Sequence, residues 1–329
     1  MAKRAGVSVA TVSYVINGKD VVSDEVKQRV LDAINEMGYT VNNNAKALAT
    51  NKTTIIALNG QEIAYESNNK FLVDFIAGVS DKLFQYNYNL LISPFKKEAI
   101  YEEVVQLANA RKVDGFILLS ATVDDRRLSF LVERDIPFVL VGRSNLYKKI
   151  NYIDVNDEEG GYEATTHFIK LGHQKIAHIA APLKNFYALN RLRGYVNALR
   201  EHGIEINRDY IVKGDLTLTS GYEAAKKLFA LEDKPTAIFS ANDFMAIGAI
   251  RYMRENDIKV PEDVVIIGCD NTDLGRNMFP SLTTIDQKSY MLGYKAAEGI
   301  VNIINGKIKS GAFNVIIKPE IIYRESCPA

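Results

Sequence analysis

Two cysteines, Cys269 and Cys327, make no disulfide framework in a chain of 329 residues, and neither has metal-ligand company in the sequence. No apolar run approaches the roughly 18 residues of a membrane span, so no membrane partner is expected. No basic-then-apolar leader opens the chain, which points to the cytoplasm and away from an exported solute receptor. Charge of one sign is missing too: 40 basic and 40 acidic residues cancel, so no global field draws the chain onto nucleic acid. Residues 1–54 hold an excess of only two positive charges, too few to identify a DNA binder without help from residue placement. The four histidines, His167, His173, His178 and His202, have no evident nucleophile or metal partner. GxGxxG, Walker, HExxH and GxSxG patterns are absent. No catalytic residue, metal ligand or cofactor is therefore assigned.

What is present is a chain of ordinary globular composition, 47% hydrophobic and 24% charged, whose length suits a small head and a large two-lobed body. The head reads as short helices. Met1–Ala5 ends a helix stopped by Gly6. Ser8 is placed to cap Val9–Ile16, which stops at Asn17-Gly18. Ser23 is placed to cap a third helix, with Asp24 and Glu25 in its first turn, Val26, Val30, Ile34 and Met37 on one stripe, and Gly38 closing it.

From about residue 53 the texture changes to strands alternating with amphipathic helices. The expected strands are Thr54–Leu58, Tyr88–Ser93, Gly115–Leu119, Phe138–Val141, Tyr152–Val155, Lys175–Ala180, Tyr210–Val212, Ala237–Ser240, Val264–Gly268 and Leu282–Ile285. Between most of them lie helical stretches such as Lys70–Tyr86, Glu158–Leu171, Ala188–His202, Ser220–Leu231, Asp243–Glu255 and Tyr290–Ile304. Near-continuous apolar strands in that alternation imply parallel sheets covered on both faces, and the strand count favours two sheets. The fold class is α/β: a helix-turn-helix head plus two doubly wound parallel lobes around a cleft.

Gly6-Val7-Ser8 between two short helices is the turn of a helix-turn-helix. At 100° per residue, Val12, Val15 and Ile16 share one arc of the second helix. Ala10, Tyr14 and Asn17 lie roughly opposite, flanked by Thr11 and Ser13. Such a helix reads either as a surface helix of a small bundle or as a reader of the major groove, with Tyr and Asn reaching base edges or phosphates. In the body, polar groups stand beyond strand ends, where open α/β folds bind ligands. These are Asn242-Asp243, Asp270-Asn271 and Arg191, which together suit a ligand with several hydroxyls. Each singly also reads as a helix cap or surface ion pair.

The run Ala2-Lys3-Arg4-Ala5-Gly6-Val7-Ser8-Val9-Ala10-Thr11-Val12-Ser13, then Val15-Ile16-Asn17-Gly18, resembles the N-terminal signature of the lac/gal repressor family. So do Val22-Ser23 through Gly38-Tyr39, and Ala45-Lys46-Ala47-Leu48-Ala49-Thr50. The likeness continues through Asp114-Gly115, Ile136-Pro137-Phe138-Val139, Leu171-Gly172-His173, Arg191 with Gly194-Tyr195, Asn242-Asp243 and Gly268-Cys269-Asp270.

That resemblance implies a cytoplasmic repressor that binds a palindromic operator as a homodimer and lobes that resemble periplasmic binding proteins. Val9, Ala10 and Tyr14 occupy base-reading positions; Thr11, Ser13 and Asn17 occupy backbone-contacting ones, with Ser8 opening the helix. Many relatives have Arg where Tyr14 stands. Residues 42–50 match the family's hinge helix, with Lys46 in it and Leu48 as the wedge into the minor groove. Val41 stands where Pro is usual. About five residues that family members have before Ala2 are expected to complete the first helix.

In the body the resemblance implies an effector, a mono- or oligosaccharide, held by Arg191, Asn242 and Asp270. Asp157 contributes from between the lobes, and Phe186 or Tyr187 covers a sugar face. Leu216 replaces an aromatic stacking platform, which argues against a planar purine. The expected domains are a head at 1–41, a hinge and linker at 42–53, an N-lobe at 54–156 with 287–314, and a C-lobe at 157–286 with 315–329. Whether the effector induces or corepresses stays open at this level, as do a global catabolite-type regulator with a protein corepressor and a sugar-binding protein without a regulatory role.

Overall fold

A computed structural model of the chain describes residues 1–16, 21–37, 52–60, 70–92, 99–119, 125–144, 147 and 149–329. The chain divides into two compact units, Met1–Thr54 and Ile55–Ala329.

In the first unit, α1 (Ala2–Ala5), α2 (Val9–Ile16) and α3 (Asp24–Glu36) enclose a small core of Ala5, Val12, Val15, Val30 and Ala33. Val12 and Val15 of the arc expected of α2 are buried. Gly6 ends α1 in the left-handed region (φ 65), where a residue without Cβ has no steric cost. Ser23 sits at the N-cap of α3, but its side chain makes no capping bond. The expected stripe on α3 also stops short: Val30 is fully buried, whereas Met37 is 53% exposed. Gly38 and the Asn17-Gly18 stop lie outside the described residues, as does the hinge stretch 42–50.

The second unit holds two six-stranded sheets. The first is ordered β11-β5-β4-β3-β1-β2 from β1 (Ile55–Gly60), β2 (Asn89–Ile92), β3 (Gly115–Leu119), β4 (Phe138–Val141), β5 (Tyr152–Val155) and β11 (Asn314–Ile317). The second is ordered β12-β10-β9-β8-β6-β7 from β6 (Ile176–Ala180), β7 (Ile211–Lys213), β8 (Ala237–Ser240), β9 (Val265–Cys269), β10 (Thr283–Asp286) and β12 (Glu320–Ile322). Every pairing is parallel except β10 with β12.

Helices cover both faces of each sheet because strand residues alternate sides. On the first sheet, Ile56 and Leu58 pack beneath α4 (Lys70–Gln85) and α12 (Ser289–Ile304). Ala57 between them packs beneath α5 (Ile100–Asn109) and α6 (Arg126–Glu133). On the second, Ile238 and Ile266 meet α9 (Leu218–Phe229) and α10 (Asp243–Glu255). Phe239 and Ile267 meet α7 (Asp157–Lys170) and α8 (Phe186–Glu201). Full burial of each such side chain contributes about 1.5–3 kcal/mol.

Three helix pairs approach through reciprocal glycines: Gly78 with Gly293, Gly161 with Gly194, and Gly221 with Gly248. A Cβ at any of the six would lie within 2.3 Å of a backbone oxygen of the facing helix. These contacts let helix backbones lie side by side with no side chain between them.

Ten expected strands and six expected helices are present with boundaries shifted by a residue or two. β11, β12, α5, α6 and the short α11 (Asp273–Asn277) were not anticipated. β11 also moves a domain boundary. It pairs with β5 from Asn314 to Ile317, so the chain belongs to the first sheet through Ile317 and not only to 314. The chain crosses between sheets after β5, β10 and β11, each time at a carboxyl end and within a few residues of the next element. The carboxyl edges of the sheets therefore meet at the crossings.

Candidate DNA-reading helix and effector cleft

The turn before α2 is built by three side chains. Ser8 Oγ accepts from the Thr11 backbone N–H at 3.0 Å and lies 2.8 Å from Thr11 Oγ1, so Ser8 caps the helix with Thr11 beside it. Arg29 of α3 donates to the carbonyls of Ala5 (2.6 Å) and Gly6 (3.1 Å), satisfying the end of α1. Arg4 pairs with Glu36 at 2.9 Å. Val12 and Val15 fix the roll of α2, leaving Val9 76% exposed, Tyr14 41% exposed, and Ala10 and Ser13 exposed as well. An apolar side chain as exposed as Val9 on a well-packed helix has no role in that core. Asn17, Lys46 and Leu48 lie outside the described residues. Arg29 went unnoticed in the sequence because its partners are backbone carbonyls 23 and 24 residues away.

In the second unit, Asp157 opens α7 directly after β5 and Arg191 projects from α8. Both are buried, and they pair at 2.8 Å. Arg191 also donates to the Ala241 carbonyl, at the end of β8, at 2.6 Å. The Gly161–Gly194 contact holds α7 against α8 and so sets this pair. Tyr187 lies against the guanidinium, 5.3 Å from ring centre to carbon. Phe186 is half-buried at the first position of α8, so the stacking partner of Arg191 is Tyr187.

Asp270 follows β9 with φ 119, and Asn271 follows with φ 51. Two consecutive non-glycine residues in that region persist only where surrounding bonds over-determine them. Here they do. Gln287 donates to Asp270 at 2.5 Å, the Asp270 N–H reaches Ile285 O at 2.9 Å, and Arg324 donates to Asn271 at 2.5 Å. Burial raises the Asp270 carboxyl to about 7 against the pull of Arg191.

Asn242 is placed at the cleft edge, but both ends of its amide are engaged: Oδ1 accepts from Met245 N at 2.9 Å, and Nδ2 donates to Leu216 O at 3.0 Å. Its neighbour Asp243, fully buried, accepts from Thr272 N, Thr272 Oγ1 and Thr284 Oγ1. Together they brace the cleft wall. Leu216 takes φ 77 in the turn that Asn242 holds.

Two cleft residues were missed. Arg143 follows β4, its side chain 35% exposed, and pairs at 2.5 Å with Asp154 of β5, whose side chain is 7% exposed. Burial and the nearby Asp157 charge push Asp154 up to about 7, opposed by Arg143. Burial likewise raises Asp157, opposed by Arg191 and then Arg143. Arg143, Asp154, Asp157, Arg191 and Asp270 thus form one interacting set at the carboxyl edges of both sheets. The set offers guanidinium donors and carboxylate acceptors with no nucleophile among them. Such donors and acceptors match the hydrogen-bonding needs of hydroxyl groups. Among the described residues, no cluster of His, Cys, Asp and Glu could hold a metal, and no helix is long and apolar enough to cross a membrane.

Comparison with known proteins agrees with this division of labour. Residues 1–42 match bacterial regulatory proteins of the lacI family, and residues 165–327 match the periplasmic binding protein-like domain. The chain is 32% identical over 329 residues to the HTH-type transcriptional repressor PurR of Photobacterium profundum, covering 99% of this chain and 97% of the relative. Among solved structures, the transcriptional regulator CelR–cellobiose complex superposes with a TM-score of 0.80 at 30% identity, over 99% of this chain and 98% of that one. The lac repressor dimer bound to operator and the anti-inducer ONPF superposes with a TM-score of 0.87 at 28% identity, over 100% of this chain and 98% of that one.

Proposed function

Since the chain belongs to the lacI family of bacterial regulatory proteins, we propose that it binds a palindromic operator as a homodimer and is switched by a sugar in the cleft between its two sheets. DNA-binding transcriptional regulation, not enzymatic turnover, is the shared activity of its relatives. The observation that carries the reading is the pairing, in one chain, of an outward helix face with a buried hydroxyl-binding set. Val9, Ala10, Ser13 and Tyr14 present that face to a major groove, and small side chains there allow close approach. Arg191, Asp157 and Asp270 grip adjacent ligand oxygens, and the cellobiose held by one similar regulator supports a sugar of one or more rings. Such a regulator works in the cytoplasm, where the operator is.

The homodimer is supported by apolar residues left on the surface of the second unit. Val73 (64% exposed) and Phe84 (82%) share one side of α4, and Leu91 and Ile92 are exposed on the edge strand β2. Phe279, also 82% exposed, and Leu274 do the same on the second lobe. A second copy covering these would bury surface that is costly to leave in water. On the family likeness, residues 42–53 form the hinge, with Lys46 in it and Leu48 as a wedge. The lobes are then 54–156 with 287–317, and 157–286 with 318–329.

A ligand that prefers one arrangement of the lobes shifts the population toward it, and full reversal requires about 5.5 kcal/mol of differential affinity. The test is operator capture by the full chain, titrated with mono- and disaccharides. Arg191→Ala is expected to capture the operator and lose the sugar response. Equal capture of a palindromic and a scrambled duplex, with every sugar tried, would sink the proposal.

A further inference from the structure

We infer that Asp154 is a specificity residue of the cleft, one that masks Arg143 and so makes the site select uncharged sugars over sugar acids. This rests on the effector reading above and sharpens it to a ligand class. Arg143 follows the carboxyl end of β4, on the ligand edge of its sheet. A guanidinium placed there is the natural anchor for a carboxylate or phosphate, since its fork matches both bidentately.

In this chain that guanidinium already has a buried carboxylate partner on its Nε side. Asp154 Oδ2 accepts from Arg143 Nε at 2.5 Å. The other cleft guanidinium, Arg191, is taken by Asp157 and the Ala241 carbonyl. Asp270 adds a third carboxylate, whose hydrogen-bond donor is the neutral amide of Gln287. Among the described residues of the set, three carboxylates therefore face two guanidiniums.

The groups facing Asp154 come from each neighbouring element: Arg143 after β4 and Asp157 at the start of α7. Arg191 of α8 in turn faces Asp157 and Asp270, and Asp243 of α10 lies near Asp270. A sugar acid entering this set would either strip Asp154 of its partner or add a fourth carboxylate to three that face two guanidiniums, and both are unfavourable. A neutral sugar faces no such conflict, because its hydroxyls donate to the carboxylates and accept from the guanidiniums.

The sequence conceals this arrangement. Asp154 sits inside a strand whose other residues are Tyr152, Ile153 and Val155, and its partner lies eleven positions earlier. Only the parallel register of β4 with β5 brings the two together.

The experiment is calorimetry of the full chain with glucose, galactose and cellobiose against glucuronate and galacturonate. Wild type is expected to bind at least one neutral sugar at least roughly 100-fold more tightly than the matched acid. Asp154→Asn, which unmasks Arg143, is expected to reduce that preference by roughly tenfold or more, and adding Arg143→Gln to restore it. A merely structural role for Asp154 would weaken both ligand classes together.

Should Asp154→Asn fail to fold, the pH dependence of wild type and of Asp270→Asn together decides, because Asp270 is also raised to about 7 and only a dependence kept in that variant belongs to Asp154. Because the Asp154 carboxyl titrates near 7, its charge and the preference should both be larger at pH 8 than at pH 6. A uronate bound more tightly than its parent hexose, or a preference unmoved by both the substitution and pH, overturns the inference and leaves the sugar reading standing. Silence from every sugar and acid at every pH overturns the sugar reading, and this inference with it.

Discussion

The two sheets of the second unit repeat one strand order, yet their ligand edges are finished differently. Counted within each lobe, both run 6-5-4-3-1-2, and they differ in strand direction only at the sixth strand, parallel in β11 and antiparallel in β12. On the second sheet the brace around Asp243 is made by neutral donors, beside the charged Arg324 and the buried Arg191–Asp157 pair. Asn242 holds the Leu216 turn, Asp243 collects three bonds from Thr272 and Thr284, and Arg324 reaches Asn271. On the first sheet the matching brace at the end of β1 is a buried ion pair. Arg127, 1% exposed, binds both oxygens of Asp125 and the side-chain oxygen of Asn59, tying α6 to the end of β1. The strand order repeats while the chemistry at the edge differs.

The largest test of that contrast is Arg127→Met. It strands the buried Asp125 carboxylate and is expected to cost roughly 3–5 kcal/mol, read as a lowered urea midpoint. Asp243→Asn on the other sheet keeps the shape and one acceptor, and should cost only about 1–3 kcal/mol. Equal losses would show that the two edges are braced alike after all.

Next in size are the glycine contacts, which both lobes share. Gly194→Ala puts a Cβ 2.0 Å from Glu158 O, beside Asp157, so α8 must move away from α7. A loss of roughly 1–3 kcal/mol in thermal stability is expected, with a weakened sugar response. Gly172→Ala meets no atom within 4 Å, and its φ of 91 alone should cost about 1 kcal/mol, with the sugar response kept. If the two variants respond to sugar alike, the α7–α8 contact does not position Arg191.

How much of this was legible in the sequence follows from where each signal resides. Continuous apolar strands such as Phe138–Val141 and Ala237–Ser240 announce themselves, because both faces of a covered sheet are apolar. β11 and β12 do not. They are short edge strands of mixed exposure around Lys318-Pro319, and edge position is a property of the assembled sheet. The helix-turn-helix was visible because its signals are local: a glycine stop, a capping serine and an apolar arc. Arg191 and Asp270 were singled out from their strand-end positions and the family resemblance, and the structure brings them into one interacting set. Arg143 and Asp154 were not singled out, since a salt bridge between neighbouring strands has no fixed sequence spacing. Asn242 stands beyond β8 as expected from the sequence, but its amide caps α10 and holds Leu216 O, something only hydrogen-bond partners reveal.

A smaller effect separates the carboxylates by pH. Asp270 ionises near 7 in the folded chain and at its ordinary 3.8 when exposed. Between those values the folded state holds the extra proton, so this group's contribution is fully present below about 4 and lost as pH rises through 7. Asp270→Asn should therefore be more stable than wild type at pH 8, by about 1–2 kcal/mol after allowing for solvent at the half-buried turn, and nearly equal to it at pH 4.5. His178, lowered to about 4 by burial, slopes the opposite way in both proteins and cancels in the difference. An advantage that is the same at both pH values would assign the gain to relief of local strain and not to desolvated charge.

The smallest energetic effect belongs to the head, where the contrast is with everything in the cleft. Tyr14 is 41% exposed on α2, so Tyr14→Arg should change thermal stability by no more than about 0.5 kcal/mol. Its consequence appears only on DNA. A tyrosine offers one hydroxyl to a base edge, whereas an arginine fork grips the two acceptors of guanine, a pairing that discriminates by about 1–3 kcal/mol. Selection of bound duplexes from a randomised pool should therefore enrich guanine at one position of each half-site for the variant, with the neighbouring positions unchanged. Identical profiles for the two proteins would remove Tyr14 from the reading face and leave Val9 and Ala10 to carry recognition, through close packing against the groove floor.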